Sequence, residues 1–209
     1  MAQALLDREP VSLAVLEQFH GAGVYAIYYM GAFPAYSRLA SHNKGGRARV
    51  PIYVGKAENK RRKGGESSGT RSTVLYRRLM EHLESIKQTK TLRSMDFSCR
   101  YLVVDDIWVP LGESLLIAKF SPVWNVLLDG FGNHDPGKGR YQGMRPKWDV
   151  LHPGRQWAEK CAARPESAKQ VGLEVEEYLR AIPSDPPRFY VGEPVGEYLI
   201  SDSDEPEES

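Results

Sequence analysis

Two phenols, Tyr25 and Tyr53, stand in short apolar, β-branched runs, Gly23-Val24-Tyr25 and Tyr53-Val54-Gly55. Arg78 and His82 follow on one predicted helix, then Glu113 and Asn125. Hydrolysing a phosphodiester requires a water made nucleophilic, phosphoryl charge neutralised and a leaving oxygen stabilised, and a bound divalent cation supplies the last two as a Lewis acid. These side chains form such a set. His82, with an ordinary pKa of about 6.5, can accept or relay a proton near neutrality. A phenol, at about 10, is a poor base until a neighbouring cation or metal lowers it, and Lys56 is a candidate to do that for Tyr25. Arg78 offers a planar fork of donors to a phosphate. Mg2+ prefers oxygen ligands and keeps most of its waters, so Glu113 alone can serve as the protein's metal ligand. Asn125 can bond a tyrosine or hold the phosphate.

Each residue alone has a plainer reading. The tyrosines are ordinary strand aromatics, Arg78 pairs with Glu81 or Glu84, and His82 is a satisfied core histidine. Glu113 favours a helix N-terminus, and Asn125 caps a turn. The elements that must position them are legible. Residues 5–19 read as a helix, and 23–31 as a strand dense in β-formers. A polar, basic inserted loop with a helical turn spans 32–50, followed by a strand at 51–57 and a Gly/Ser-rich basic loop at 58–72. Leu75, Leu79, Leu83 and Ile86 repeat at helical spacing over 74–86, with Arg78 and His82 on the same stripe. Polar groups on a core-facing stripe are costly unless partnered. A third strand is expected at 96–105, a helix from Pro110 with Glu113 heading its buried face, a long ordered loop at 130–143, and helices at 148–161 and 165–182.

The 209 residues, 41% hydrophobic and 26% charged, suit one globular domain over 1–185 with an acidic, partly disordered tail at 186–209. No apolar run reaches the roughly 18 residues of a membrane span, and Asp7, Arg8, Glu9 and Glu17 do not suit a secretion signal. Cys99 and Cys161 are too far apart for a C-x-x-C pair. A cytoplasmic, bacterial protein with no membrane partner is expected. The net charge of +1 conceals polarity: twelve Lys/Arg face two acids over residues 38–78, while residues 193–209 carry seven acids and no base. Such asymmetry points to a polyanion-binding face. Candidate DNA-binding residues are Arg38, Arg47, Arg49, Lys60, Arg61, Arg62, Lys63, Arg71, Lys138, Arg140 and Arg145.

In order and spacing, Gly23-Val24-Tyr25, Tyr53-Val54-Gly55, Arg78-x-x-x-His82, Glu113 and Asn125 resemble the GIY-YIG nuclease superfamily. Valine stands for isoleucine in both motifs, and the gap between them is longer than usual, which implies an insertion. The resemblance implies an α+β fold, a small three-stranded mixed or antiparallel sheet flanked by helices, with inserted loops and extra C-terminal helices. It implies one Mg2+, with Mn2+ as a substitute, and cleavage to a 5′-phosphate and a 3′-hydroxyl. Tyr25 and Tyr53 match the motif tyrosines, Arg78 the phosphate-contacting arginine, Glu113 the metal ligand and Asn125 the late asparagine. His82 fills a position that is His or Tyr elsewhere.

Over residues 21–161, stretches such as GAGVYAIYY and WDVLHPGRQWAEKC resemble the type II restriction endonuclease branch, the group with SacII-like specificity. That branch implies a homodimer on double-stranded DNA, cutting a short GC-rich palindrome such as CCGCGG, and a cognate DNA methyltransferase in the host. The 33–49 insertion or the N-terminal helix is a candidate dimer interface. Three alternatives remain open to the sequence: a repair or homing nuclease of the same superfamily, a non-catalytic DNA-binding module, and a metal-hydrolase site built from His134, Asp135 and His152.

Overall fold

A computed structural model describes residues 1–59 and 72–182. The sheet is organised by β2 (Gly23–Tyr29), whose seven residues are all buried. A strand covered on both faces has no polar alternation to display, which is why GVYAIYY reads as one apolar run. It pairs antiparallel with β3 (Tyr53–Ala57) on one side and β4 (Phe97–Val103) on the other. The fold class is α+β as expected, with one difference: a fourth strand, β1 (Val11–Ser12), joins the sheet, whose order is β1-β4-β2-β3, all antiparallel.

The added strand explains the N-terminus. The sequence suggests one helix over 5–19, but the chain forms α1 (Ala2–Leu6) and then β1 (Val11–Ser12). Pro10 separates them; its ring removes an N–H and clashes with the carbonyl four residues back. Beyond it, Val11 and Ser12 pair with Cys99 and Ser98.

Helices cover both faces. On one face α1 and α4 (Val109–Phe120) pack against Val24, Ala26, Tyr28, Val54 and Leu102 through Leu5, Val109, Leu116 and Phe120. On the other lie Tyr25, Ile27, Tyr29, Phe97 and Cys99. They meet α3 (Val74–Lys87), α5 (Val123–Val126), α6 (Lys147–Leu151) and α8 (Ala168–Ala181). The stripe predicted on α3 is the buried one: Leu75, Leu79, His82, Leu83 and Ile86.

The 32–50 insertion is more ordered than a loop. After a 3-10 turn, α2 (Ser37–Asn43) sends Leu39, Ala40 and Asn43 inward. Asn43 closes the segment by donating to the carbonyls of Tyr29 and Val50 and accepting from the Val50 N–H. The apolar side of this insertion and that of α1 are therefore spent on the protein's own core. Where one helix is expected at 148–161, two short ones form, α6 and α7 (Gln156–Glu159), because Pro153-Gly154 interrupts them. The capping box of Ser167 and Gln170 starts α8. Among the described residues no helix is long and apolar enough to cross a membrane. Lys60, Arg61, Arg62, Lys63, Arg71 and the tail at 186–209 lie outside the described residues.

A buried polar chain ties the insertion to the C-terminal helices. Trp124 Nε1–H donates to Tyr36 Oη at 2.8 Å, and Tyr36 Oη in turn is hydrogen-bonded to His152 Nε2 at 2.6 Å. The other ring nitrogen, His152 Nδ1, is hydrogen-bonded to Thr91 Oγ1 at 2.8 Å. Burial drives the His152 pKa down to about 3. A histidine that is harder to protonate when folded makes the fold lose stability as pH falls below the unfolded value of about 6.5, by about 1.4 kcal/mol per pH unit. Urea unfolding between pH 7 and pH 4 should show stability falling with pH, His82 adding to the loss in the same direction, and His152→Gln should flatten the slope by about one proton's share. An unchanged slope in the variant would assign the acid sensitivity elsewhere.

Candidate active site

The β2–β3 register sets Tyr25 opposite Gly55 and Ile27 opposite Tyr53, so both phenols leave the same face of the sheet. Gly55 is required by close approach: a Cβ there would sit 2.4 Å from Tyr25 Oη. The other motif glycine, Gly23, is required by its neighbour strand, since its Cβ would fall 2.0 Å from the Leu102 carbonyl oxygen.

From α3, His82 reaches Tyr25, with 2.5 Å between Tyr25 Oη and His82 Nε2. Both groups are buried. Burial raises the Tyr25 phenol well above its ordinary pKa, and the Tyr53 phenol adds to this while Arg78 opposes it. Burial likewise pushes His82 well below its ordinary value, reinforced by the positive charge of Arg78. Phenol and imidazole are therefore both neutral at pH 7, and in the tautomer that carries the imidazole proton on Nδ1 the Tyr25 O–H donates to His82 Nε2. Phe131 stacks on the His82 ring, centroids 4.5 Å apart and planes at 14°, and meets Tyr53 edge-on at 5.0 Å.

Arg78 lies one turn before His82 at the rim. Its guanidinium donates to the Gly132 carbonyl at 2.9 Å and to Glu81 Oε2 at 3.0 Å, and approaches His134 Nε2 at 3.0 Å. The simple pairing with Glu81 is thus present, but as one of several contacts. Arg78 also opposes the burial-driven rise of the Tyr53 pKa.

Lys56 is not the cation beside Tyr25. It stands opposite Val24 in the register, hence on the other face, and its ammonium pairs with Glu58 at 3.2 Å and Glu113 at 3.4 Å. Arg78 takes the expected part. Glu113, on α4, is partly buried; burial raises its pKa and Lys56 pulls it back. Its charge is felt by both phenols across β3, so the site straddles that strand with the phenols on one face and the carboxylate on the other.

Asn125 bonds neither a tyrosine nor open space. Its Oδ1 accepts from the Val54 N–H and its Nδ2 donates to the Val54 carbonyl, both at 2.8 Å. This side chain imitates a neighbouring strand along the free edge of β3 and fixes the segment that carries Tyr53 and Gly55. Its place in the site is to position that strand.

The donor set bears on a metal. Among the described residues no three His, Cys, Asp or Glu side chains converge, so an all-protein cage is not offered. One half-buried carboxylate, free to exchange Lys56 for a cation, suits a hard ion that keeps most of its water, as Mg2+ does. The metal-hydrolase grouping does not form. His152 lies in the core with both ring nitrogens bonded, whereas His134 is exposed beside Arg78.

Of the candidate DNA-binding residues, Arg38, Arg47, Arg49, Lys138 and Arg140 are exposed. Arg145 is committed to structure, donating to the carbonyls of Ala158 and Glu159 at 2.9 and 3.1 Å. Two contributors escaped the sequence reading, Phe131 and Gly132, and a third, His134, was read only as part of the metal-hydrolase alternative; all lie in one irregular loop that folds over His82 and Arg78. Nothing in their spacing marks them, because they touch the site through tertiary contact.

A family model described as the Eco29kI GIY-YIG domain matches residues 17–179. No curated protein matches the chain.

Gly55→Ala places a methyl 2.4 Å from the Tyr25 hydroxyl and should break its contact with His82. We expect DNA cleavage to fall roughly 100-fold, the scale of an ångström-sized misplacement, with circular dichroism and DNA retardation in gels preserved. Cleavage near the wild-type rate would show that this close approach does not matter.

Proposed function

The chain belongs to the Eco29kI GIY-YIG family of restriction endonucleases, and from that premise we propose that it is a type II enzyme hydrolysing double-stranded DNA at a short GC-rich palindrome. The observation that carries the mechanism is the buried bond from Tyr25 to His82. A phenol with a raised pKa is no base by itself, but one that hands its own proton to a neutral imidazole can take a proton from water in the same movement. Tyr25 is the group that faces the attacking water, and His82 is the acceptor behind it. Arg78, already at the rim, binds the phosphoryl oxygens by exchanging its contacts with Glu81 and His134 for the phosphate. Tyr53, kept protonated by burial, holds the phosphate through its hydroxyl.

Glu113 would hold Mg2+, or Mn2+ in its place, with Lys56 displaced toward Glu58. When bound, such an ion stabilises the leaving oxygen and phosphoryl charge. The expected products are a 5′-phosphate and a 3′-hydroxyl. Cutting both strands of a palindrome calls for two copies related by a two-fold axis, and a cognate methyltransferase would protect the host's own sites. Reading G·C pairs would use arginine or lysine against guanine O6 and N7. The exposed Arg38, Arg47, Arg49, Lys138 and Arg140, together with Lys60, Arg61, Arg62, Lys63 and Arg71, are the candidates. A CCGCGG target is the specific form of this reading, and the ends mapped from a sequenced plasmid test it directly.

Plasmid incubated with and without Mg2+ separates a nuclease, which yields discrete fragments, from a DNA-binding module, which yields only a gel shift. Tyr25→Phe, lacking the exchangeable proton, should lose about 100- to 10,000-fold in cleavage. Glu113→Ala should abolish cutting while DNA binding persists. Undiminished cutting by either variant would remove that residue from the chemistry.

A further inference from the structure

The loop over residues 130–134 has no strand or helix to hold it, yet it presents Phe131 to His82 and the Gly132 carbonyl to Arg78. The element that holds it is a buried arginine. Arg155 is 1% exposed and all of its donors are engaged. Its Nε donates to Asp149 Oδ1 at 2.7 Å. One terminal nitrogen donates to Asp149 Oδ2 at 2.5 Å and to the Gly130 carbonyl at 2.8 Å. The other donates to the carbonyls of Phe131 at 3.2 Å and Asn133 at 3.1 Å. Trp148 and Trp157 flank the guanidinium at 4.6 and 4.7 Å. Three of the loop's carbonyls thus converge on one planar cation, whose orientation is set by a two-point bond to Asp149.

We propose that Arg155, oriented by Asp149, is a positioning residue for catalysis: it shapes the 130–134 loop so that Phe131 sets the plane of the His82 ring and Gly132 sets the reach of Arg78. The guanidinium is required rather than merely a positive charge. Five donors in a fixed fork can meet a carboxylate and three carbonyls at once, whereas a lysine offers three donors on a flexible stem. The ion pair's stability alone does not account for the arrangement, because a buried pair gains little over apolar packing once desolvation is counted. What it does supply is geometry. The two site residues it controls are those whose alignment the chemistry cannot do without. His82 must keep Nε2 on the Tyr25 hydroxyl, and Arg78 must keep its fork at the rim.

This inference rests on the nuclease reading of Tyr25, His82 and Arg78, so one readout is chosen that needs no activity. In Arg155→Lys, plasmid cleavage should show kcat reduced about 10- to 100-fold, as for losses of supporting hydrogen bonds behind a reactive group. KM should stay within about threefold, since binding is not what is lost. The His82 Hε1 resonance, shifted by the ring current of the stacked Phe131, should move in the same variant. Phe131→Leu, which leaves Arg155 and the loop carbonyls in place, should reproduce both effects in a folded protein whose melting temperature falls by only a few degrees, roughly 2–4 °C per kcal/mol for a chain of this size. It decides the matter if the Arg155 variant fails to fold. A wild-type kcat in a folded Arg155→Lys or in Phe131→Leu would overturn the proposal, as would an unmoved His82 resonance in both. Wild-type protein that cuts no DNA would instead defeat the nuclease reading, and the resonance would still report whether Arg155 sets the ring.

Discussion

A phenol and an imidazole pressed together out of water impose the central constraint on this molecule. Neither Tyr25 nor His82 can be charged at modest cost in that setting, and each needs a hydrogen-bond partner or forfeits the free energy of an unsatisfied buried group. They satisfy one another, at 2.5 Å. Desolvation thereby keeps both groups neutral, and with the imidazole proton on Nδ1 the phenol proton is aimed at Nε2. A solvated pair of the same residues would also sample charged forms and several rotamers.

Holding that geometry falls to side chains that stand in for missing secondary structure. β3 is an edge strand, and Asn125 supplies the pair of bonds a further strand would have made to Val54. The 32–50 insertion is closed by Asn43 in the same manner, with an amide bonding backbone groups at both ends. The 130–134 loop has Arg155. In each case one planar polar group meets several backbone groups at once, so little side-chain entropy is lost per bond formed. The Thr91–His152–Tyr36–Trp124 chain then ties the insertion to the C-terminal helices that carry Asp149 and Arg155.

Much of this was legible in the residues. β2, β3, β4, α3 and α4 follow from apolar runs and helical spacing, and the stripe on α3 places Arg78 and His82 toward the sheet. Local pattern decides those elements. It failed where a single proline or a partner distant in sequence overruled propensity, as at residues 5–19, where Pro10 ends the helix and β4 recruits Val11 and Ser12. The Tyr25, Tyr53, Arg78 and His82 cluster was foreseeable because strand and helix periodicity carry it. The clamping of Val54 by Asn125, the turning of Lys56 away from Tyr25, and the use of Arg145 and Arg155 on backbone carbonyls were not. All four are tertiary hydrogen bonds or ion pairs with no periodic trace in the chain.

The placement of Lys56 also shows why the two glycines flanking the phenols matter together. Adjacent residues on a strand face opposite ways, so a site assembled from one face would exclude Glu113, which belongs to the helix on the other. β3 is narrow and at the edge, and at Gly55 it carries no side chain. Tyr25 can therefore lean across it until its hydroxyl lies over the backbone, within the field of the Glu113 carboxylate. A central strand, or a larger residue at 55, would wall the phenols off from the carboxylate. The motif's spacing thus encodes a bridge between two helix layers that only an edge strand with a gap in it can provide.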